Sequence, residues 1–227
     1  TWLEKWPTAD ERTRIVFIAN PNNPTGTWVE AAAIVSFMAR VPATALVVLD
    51  EAYFEYAVGA GCGDGLVWLA RFPNLVVVRT FSKAYGLAAL RVGFAASHPE
   101  VADVLNRIRQ PFNVNSIALE GARAGLADQG HITRSVALMA AERPRLAREL
   151  AARGLPVLPS AGNFVLVNIG SAARAAALND HLLRRGVIVR PVGNYGLAGH
   201  LRITVGRTEE NSRLLEGIDA WPEGGPR

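Results

Sequence analysis

Three short apolar runs constrain this chain more than any other feature. Arg14-Ile15-Val16-Phe17-Ile18-Ala19, Thr44-Ala45-Leu46-Val47-Val48-Leu49 and Asn74-Leu75-Val76-Val77-Val78 are nearly continuous and rich in β-branched residues. A strand with one wet face alternates apolar and polar residues; a continuous run belongs to a strand buried on both faces. Helical patterns separate the runs. Thr27 with Glu30 reads as a capping box ahead of Ala31, Ile34, Val35 and Met38, Pro42 ends that helix, and Val67 to Arg71 reads as another. Strand, helix, strand in succession predicts an α/β fold: a mostly parallel sheet covered by helices on both faces. Arg91 to Ala96 reads as a further strand.

Each run delivers polar residues just past its carboxyl end, where open α/β sheets bind ligands. The first runs into Asn20-Pro21-Asn22-Asn23-Pro24-Thr25-Gly26, whose prolines and glycine enforce a rigid, non-helical turn. The second delivers Asp50-Glu51-Ala52-Tyr53, and the third Arg79-Thr80-Phe81-Ser82-Lys83. From Asn23 to Asp50 is 27 residues and from Asp50 to Lys83 is 33, each room for one crossover. One rim is expected to collect all of them. Gly59-Ala60-Gly61-Cys62-Gly63-Asp64-Gly65 does not follow a strand directly and lacks the G-x-G-x-x-G spacing, so it reads as a mobile surface loop.

Beyond Ser97-His98-Pro99-Glu100, a second capping box, a helix runs to about Arg109 and breaks at Gln110 to Asn115. Helices from Ser116 to Ala127 and from about Ile132 to Arg153 follow, the latter expected to kink or break at Pro144. The pattern then restarts as a smaller α+β unit. Its strands are Asn163–Asn168, Val187–Arg190 and His200–Val205; its helices are Ala172–Arg185 and one capped by Thr208, before a frayed tail from Pro222. The expected division is a large domain over 1–130, a connecting helix over 131–154 and a small domain over 155–227.

Composition narrows the function. Half of the 227 residues are hydrophobic and 19% charged, as in ordinary globular proteins. No apolar run approaches a membrane span, and no signal pattern opens the chain. The lone cysteine, Cys62, excludes an internal disulfide and fits a reducing, cytoplasmic setting. The net charge of +4 comes from dispersed arginines without interleaved aromatics, which argues against a nucleic-acid partner. His98, His131, His181 and His200 show no ligand spacing, so no metal is assigned.

Lys83 has hydroxyls at Thr80 and Ser82 and a guanidinium at Arg91. Neighbouring cations activate a nucleophilic amine, and hydroxyls with a guanidinium suit a phosphate. An electron-storing pyridine cofactor needs a carboxylate at its ring nitrogen, neutral donors at its phenolic oxygen, an anion cradle and a lysine for its aldehyde. Asp50, then Asn23 with Tyr53, then Thr80, Ser82 and Arg91, then Lys83 match those needs in turn. Singly, each has a plainer reading: Asn23 shaping a turn, Asp50 capping a helix, Tyr53 at a core edge, Thr80, Ser82 and Lys83 as loop polars, Arg202 in a surface pair.

Four motifs occur together: Asn20 to Gly26, Asp50 to Tyr53, Thr80-Phe81-Ser82-Lys83 with Arg91, and Leu201-Arg202-Ile203-Thr204-Val205-Gly206. With them the chain resembles the fold-type I, pyridoxal-phosphate-dependent aminotransferases of class I/II, and within these the histidinol-phosphate aminotransferases. Arg109 to Asn115 and Ser160-Ala161-Gly162-Asn163-Phe164 add support. The resemblance implies pyridoxal 5′-phosphate as cofactor. Lys83 would hold its aldehyde and shuttle the proton at the substrate's Cα, Asp50 would pair with the ring nitrogen, and Asn23 and Tyr53 would hydrogen-bond the phenolic oxygen. Thr80, Ser82 and Arg91 would hold the phosphate, and Arg202 the anionic end of the substrate.

The implied reaction moves an amino group between histidinol phosphate and 2-oxoglutarate in histidine biosynthesis, in a homodimer. An aromatic or broad-specificity aminotransferase, or a phosphothreonine decarboxylase, fits the same scaffold. Family members carry a further amino-terminal portion with a loop under the phosphate, an aromatic on the ring and a tyrosine for the neighbouring subunit. None has a counterpart here. The chain is therefore expected to be a fragment or truncated product, with an inactive remnant or a binding module as the other reading. Alone it is expected to bind cofactor poorly.

Overall fold

The computed structural model describes residues 12–222; the opening Thr1–Glu11 stretch and the tail beyond Pro222 lie outside the described residues. The chain forms two compact units. Among the described residues, the first holds 12–21 and Trp28–Ser135, and the second holds Asn22–Thr27 and 136–222.

In the first unit, β1 (Ile15–Ala19), β2 (Leu46–Asp50) and β3 (Leu75–Thr80) pair in parallel, and β4 (Gly93–Ser97) closes the edge antiparallel to β3. Val16, Ile18, Val47, Leu49, Leu75 and Val77 form one inner face, packed on Ile34, Phe37 and Met38 of α1 (Ala31–Met38). Each such side chain removed from water contributes roughly 1.5–3 kcal/mol. On the opposite face β1 is uncovered, with Ile15 51% and Phe17 74% exposed, whereas Val76 of β3 is buried at 5%. β1 thus alternates in burial although its sequence does not alternate in polarity.

Several boundaries move for identifiable reasons. Thr27 does not cap α1, because its hydroxyl bonds that of Thr25 at 2.7 Å; Glu30 takes the cap position. His98 rather than Ser97 caps α3 (Pro99–Ile108), its Nδ1 accepting the Glu100 N–H. The expected helix at Val67 is a 3₁₀ turn over Gly65–Trp68. α4 (Ser116–Ala127) begins on its Asn115 cap, as the break at Gln110–Asn115 required.

The glycine segment is tied into the fold. Gly61 accepts the Ala31 N–H through its carbonyl, Cys62 is buried, Asp64 caps the 3₁₀ turn and the Gly65 N–H donates to Glu51.

Helix α5 (Gln129–Ala152) runs without interruption through Pro144. Pro144 and Ala140, whose carbonyl loses its usual donor there, are both exposed, so water can serve that acceptor. The stripe Met139, Glu142, Leu146 and Leu150 is buried on either side of the proline and keeps both halves packed as one helix.

In the second unit, β5 (Phe164–Asn168), β7 (His200–Thr204) and the two-residue β6 (Arg190–Pro191) form an antiparallel sheet in the order β5-β7-β6. The strand expected over Val187–Arg190 is reduced to that short pairing. Leu178 and Leu182 of α6 (Ala172–Arg184) and Leu214, Leu215 and Ile218 of α7 (Thr208–Asp219) are buried. Thr208 does not cap α7. Glu210 accepts the Arg207 N–H at 2.8 Å, and Thr208 donates its hydroxyl to Glu142.

Candidate active site

The connection from β3 to β4 carries Lys83. Phe81 and Ala84 are buried, at 4% and 2% exposure, and Phe81 packs against Tyr85, Val92 and Ala122. These anchors hold the connection down and leave Ser82 and Lys83 half-exposed between them. Leu87 N–H donates to the Phe81 carbonyl and Gly86 N–H to the Lys83 carbonyl, which closes the turn. His131, in the first turn of α5, adds a ring nitrogen 3.1 Å from the Ala84 carbonyl. No local sequence pattern marked His131 for this contact.

Around the lysine, Thr80 ends β3 and its Oγ1 accepts the Ser82 N–H at 3.1 Å. Arg91 follows a 3₁₀ turn over Ala88–Leu90 in the left-handed region, with φ 53°. A non-glycine residue held there costs on the order of 1–3 kcal/mol, which surrounding contacts must offset. Its Nη1 donates to the Ala88 carbonyl at 2.8 Å and to Ser82 Oγ at 3.4 Å. Hydroxyls and a guanidinium therefore converge on one loop.

From the neighbouring strand end, Asp50 is exposed and its Oδ1 accepts the Ala52 N–H at 3.0 Å, so the turn-shaping reading of Asp50 holds alongside any role toward a ligand. Tyr53 is 5% exposed and its ring centre lies 5.5 Å from Lys83 Nζ, within cation–π range. Asp50, Tyr53, Thr80, Ser82, Lys83 and Arg91 thus belong to two adjacent strand ends of the first unit. An amine, a carboxylate, a phenol and a guanidinium with hydroxyls fit the aldehyde, ring nitrogen, phenolic oxygen and phosphate of pyridoxal 5′-phosphate.

The second unit brings Asn23 and Arg202 together. The Asn22–Thr27 turn is closed by Asn22 N–H on the Thr27 carbonyl and Gly26 N–H on the Asn22 carbonyl; the Asn20–Pro21 and Asn23–Pro24 peptides are cis. Ala161 N–H donates to the Gly26 carbonyl, which seats the turn on the Ser160–Phe164 motif. Gly26 has φ 75°, and a Cβ there would lie 2.2 Å from Ser160 Oγ, so only glycine fits. Arg202, on β7, donates from Nη1 to Asn23 Oδ1 at 2.6 Å, its guanidinium 5.0 Å from the Phe164 ring centre.

Two more contacts escaped sequence reasoning. Asn20 is buried and closes the ends of its loop on Val29, accepting Val29 N–H at 2.7 Å and donating to the Val29 carbonyl at 3.1 Å. Arg79 and Glu51 form a buried ion pair at 2.7 Å. The only signal for either was its place inside a motif whose other members had assigned roles. Among the described residues no cluster of His, Cys, Asp and Glu is arranged to hold a metal ion, and no helix is long and apolar enough to cross a membrane.

A family model described as aminotransferase class I and II matches residues 1–218. Histidinol-phosphate aminotransferase 2 of Pseudomonas fluorescens is 57% identical over 209 residues, covering 92% of this chain and 56% of that protein. Histidinol-phosphate aminotransferase 1 of Cupriavidus pinatubonensis is 53% identical, with 91% and 55% covered. The crystal structure of histidinol-phosphate aminotransferase from Sinorhizobium meliloti in complex with pyridoxal-5′-phosphate superposes with a TM-score of 0.83 at 39% identity, covering 92% of this chain and 57% of that one. The chain spans a little over half the length of these relatives. With the family model covering nearly all of its residues, the chain belongs to the class I and II aminotransferases.

Proposed function

We propose that the protein carrying this chain is a pyridoxal 5′-phosphate-dependent aminotransferase that moves an amino group between histidinol phosphate and 2-oxoglutarate. The observation that carries this reading is the single lysine at the β3–β4 turn, set among Thr80, Ser82 and Arg91 and 5.5 Å from the Tyr53 ring. The names of relatives more than 50% identical supply the amino donor.

When bound, the cofactor supplies an aldehyde that captures an amino group and a ring that stores an electron pair. Lys83 would hold that aldehyde and, once released, carry the proton at the substrate's Cα. Asp50 would keep the ring nitrogen protonated by offering it a carboxylate. Tyr53 would donate to the phenolic oxygen, and Thr80, Ser82 and Arg91 would hold the phosphate with charge-assisted bonds. Asn23 accepts from Arg202 through Oδ1, which assigns its amide orientation and leaves the Nδ2 group as the donor for the phenolic oxygen. Arg202 would grip the anionic end of the substrate, its planar fork suited to a carboxylate or a phosphate.

A cytoplasmic homodimer is part of the proposal, supported by the lone cysteine and the family resemblance. The test is to mix the full-length gene product with histidinol phosphate and 2-oxoglutarate and measure glutamate. Steady glutamate formation is expected. Turnover of aromatic amino acids without glutamate from histidinol phosphate would overturn the choice of substrate.

A further inference from the structure

We propose that Arg79 and Glu51 are positioning residues for the cofactor cradle, a reading that rests on the pyridoxal 5′-phosphate assignment above. Asp50 is paired with Val78 in the β2–β3 ladder, and Glu51 N–H donates to the Val78 carbonyl at 2.9 Å. Glu51 and Arg79 are therefore cross-strand neighbours one step beyond the last ladder pair. Successive side chains along a strand point to opposite faces. Glu51 and Arg79 accordingly turn inward, at 4% and 9% exposure, while Asp50 is exposed and Thr80 half-buried on the other side.

The inward pair is closely held. Glu51 Oε2 accepts from Arg79 Nε at 2.9 Å and Nη2 at 2.7 Å, and Oε1 accepts the Gly65 N–H at 2.8 Å. Arg79 Nη2 also donates to Asp64 Oδ1 at 2.5 Å, and the guanidinium lies 3.4 Å from the Phe54 ring centre. A Cβ on Gly65 would come within 2.9 Å of Glu51, Leu49 and Val77, so the glycine segment is pressed against the pair. Burial raises the Glu51 carboxyl above its ordinary range, opposed by its bonds to Arg79 and Gly65.

A buried ion pair is weak support for stability, because apolar residues of similar volume serve as well. Its directional bonds do something apolar packing does not. They set the spacing and twist of the two strand ends, one carrying Asp50 and Tyr53, the other Thr80, Ser82 and Lys83. A ligand that engages both ends at once depends on that spacing.

The test uses the full-length gene product as wild type, Glu51→Gln and Arg79→Lys, with each variant's apo form confirmed folded by circular dichroism. Dissociation constants are measured for pyridoxal 5′-phosphate, which reaches both strand ends, and for inorganic phosphate, which reaches only the end that carries Thr80, Ser82 and Arg91. Misplacement of binding groups costs roughly ten- to a hundred-fold. Pyridoxal 5′-phosphate is expected to weaken about tenfold or more in both variants, and inorganic phosphate less than about twofold. Equal weakening of both ligands, or of neither, would overturn the proposal, as would loss of folding in both variants, which would assign the pair to the fold. Borohydride trapping of cofactor on Lys83 in the wild type checks the underlying assignment separately. If no cofactor is trapped there, it is that assignment which fails.

Discussion

Arg202 Nη1 donates to Asn23 Oδ1 at 2.6 Å, a bond that joins residues 179 positions apart. Arg202→Ala removes a guanidinium placed to bind an anionic substrate. Charge-assisted hydrogen bonds contribute roughly 1.5–3 kcal/mol, so the Michaelis constant for the anionic substrate should rise about ten- to a hundred-fold. Cofactor affinity should stay near wild type. Steady-state kinetics alongside a cofactor titration separate the two.

Lys83→Ala should abolish covalent attachment of pyridoxal 5′-phosphate. Lys5 is the only other lysine in the chain. Borohydride reduction followed by peptide mass analysis should label Lys83 in the wild type and nothing in the variant.

Glu142 links α5 to α7. It accepts from Arg145 at 2.7 Å, Asn211 Nδ2 at 2.7 Å and Thr208 Oγ1 at 2.9 Å, and these bonds hold its carboxyl down to about 2. A carboxylate with a lowered value stabilises the fold above its unfolded value, ordinarily near 4.5, and that contribution fades as pH falls toward 2. Glu142→Gln should therefore cost roughly 1.5–3 kcal/mol near neutral pH, the worth of hydrogen bonds to a charged group. The gap in melting temperature between variant and wild type should narrow steadily below about pH 4.5.

Cys62 is buried, and burial first, then the negative charges of Glu30 and Glu51, push its thiol up to about 11. Only the thiolate attacks thiol reagents. The native protein should react with an aromatic disulfide reagent at pH 8 far more slowly than the guanidinium-unfolded chain, which should release one equivalent at once.

Phe17 on β1 is 74% exposed beside Ile15 on the same strand face. Contiguous exposed apolar surface promotes association. As an isolated polypeptide, Phe17→Thr should show less aggregation in light scattering at equal concentration, with its circular dichroism spectrum unchanged.

The strand runs, the Asn20–Gly26 turn, the helix start at Ser116 and the family's motifs were legible in the amino-acid sequence. All depend on residues close together in the chain: a β-branched run predisposes its own backbone, and Ser82, Lys83 and Arg91 share one turn. Asp50, Tyr53 and Asn23 were placed by their positions past the strand runs, and the resemblance added Arg202 because motifs keep their order. What the sequence did not carry depends on partners far apart in it. Glu51 and Arg79 became a buried pair only when β2 and β3 took their register. The glycine segment read as a mobile loop until Gly65 met Glu51. Pro144 read as a break until buried residues on both sides of it held α5 together. Whether β1 is covered on both faces was likewise undecidable from its composition, since burial belongs to what packs against a strand rather than to the strand. Local pattern sets what each segment can form; only the packed chain decides which polar groups leave water together, and that settles their partners.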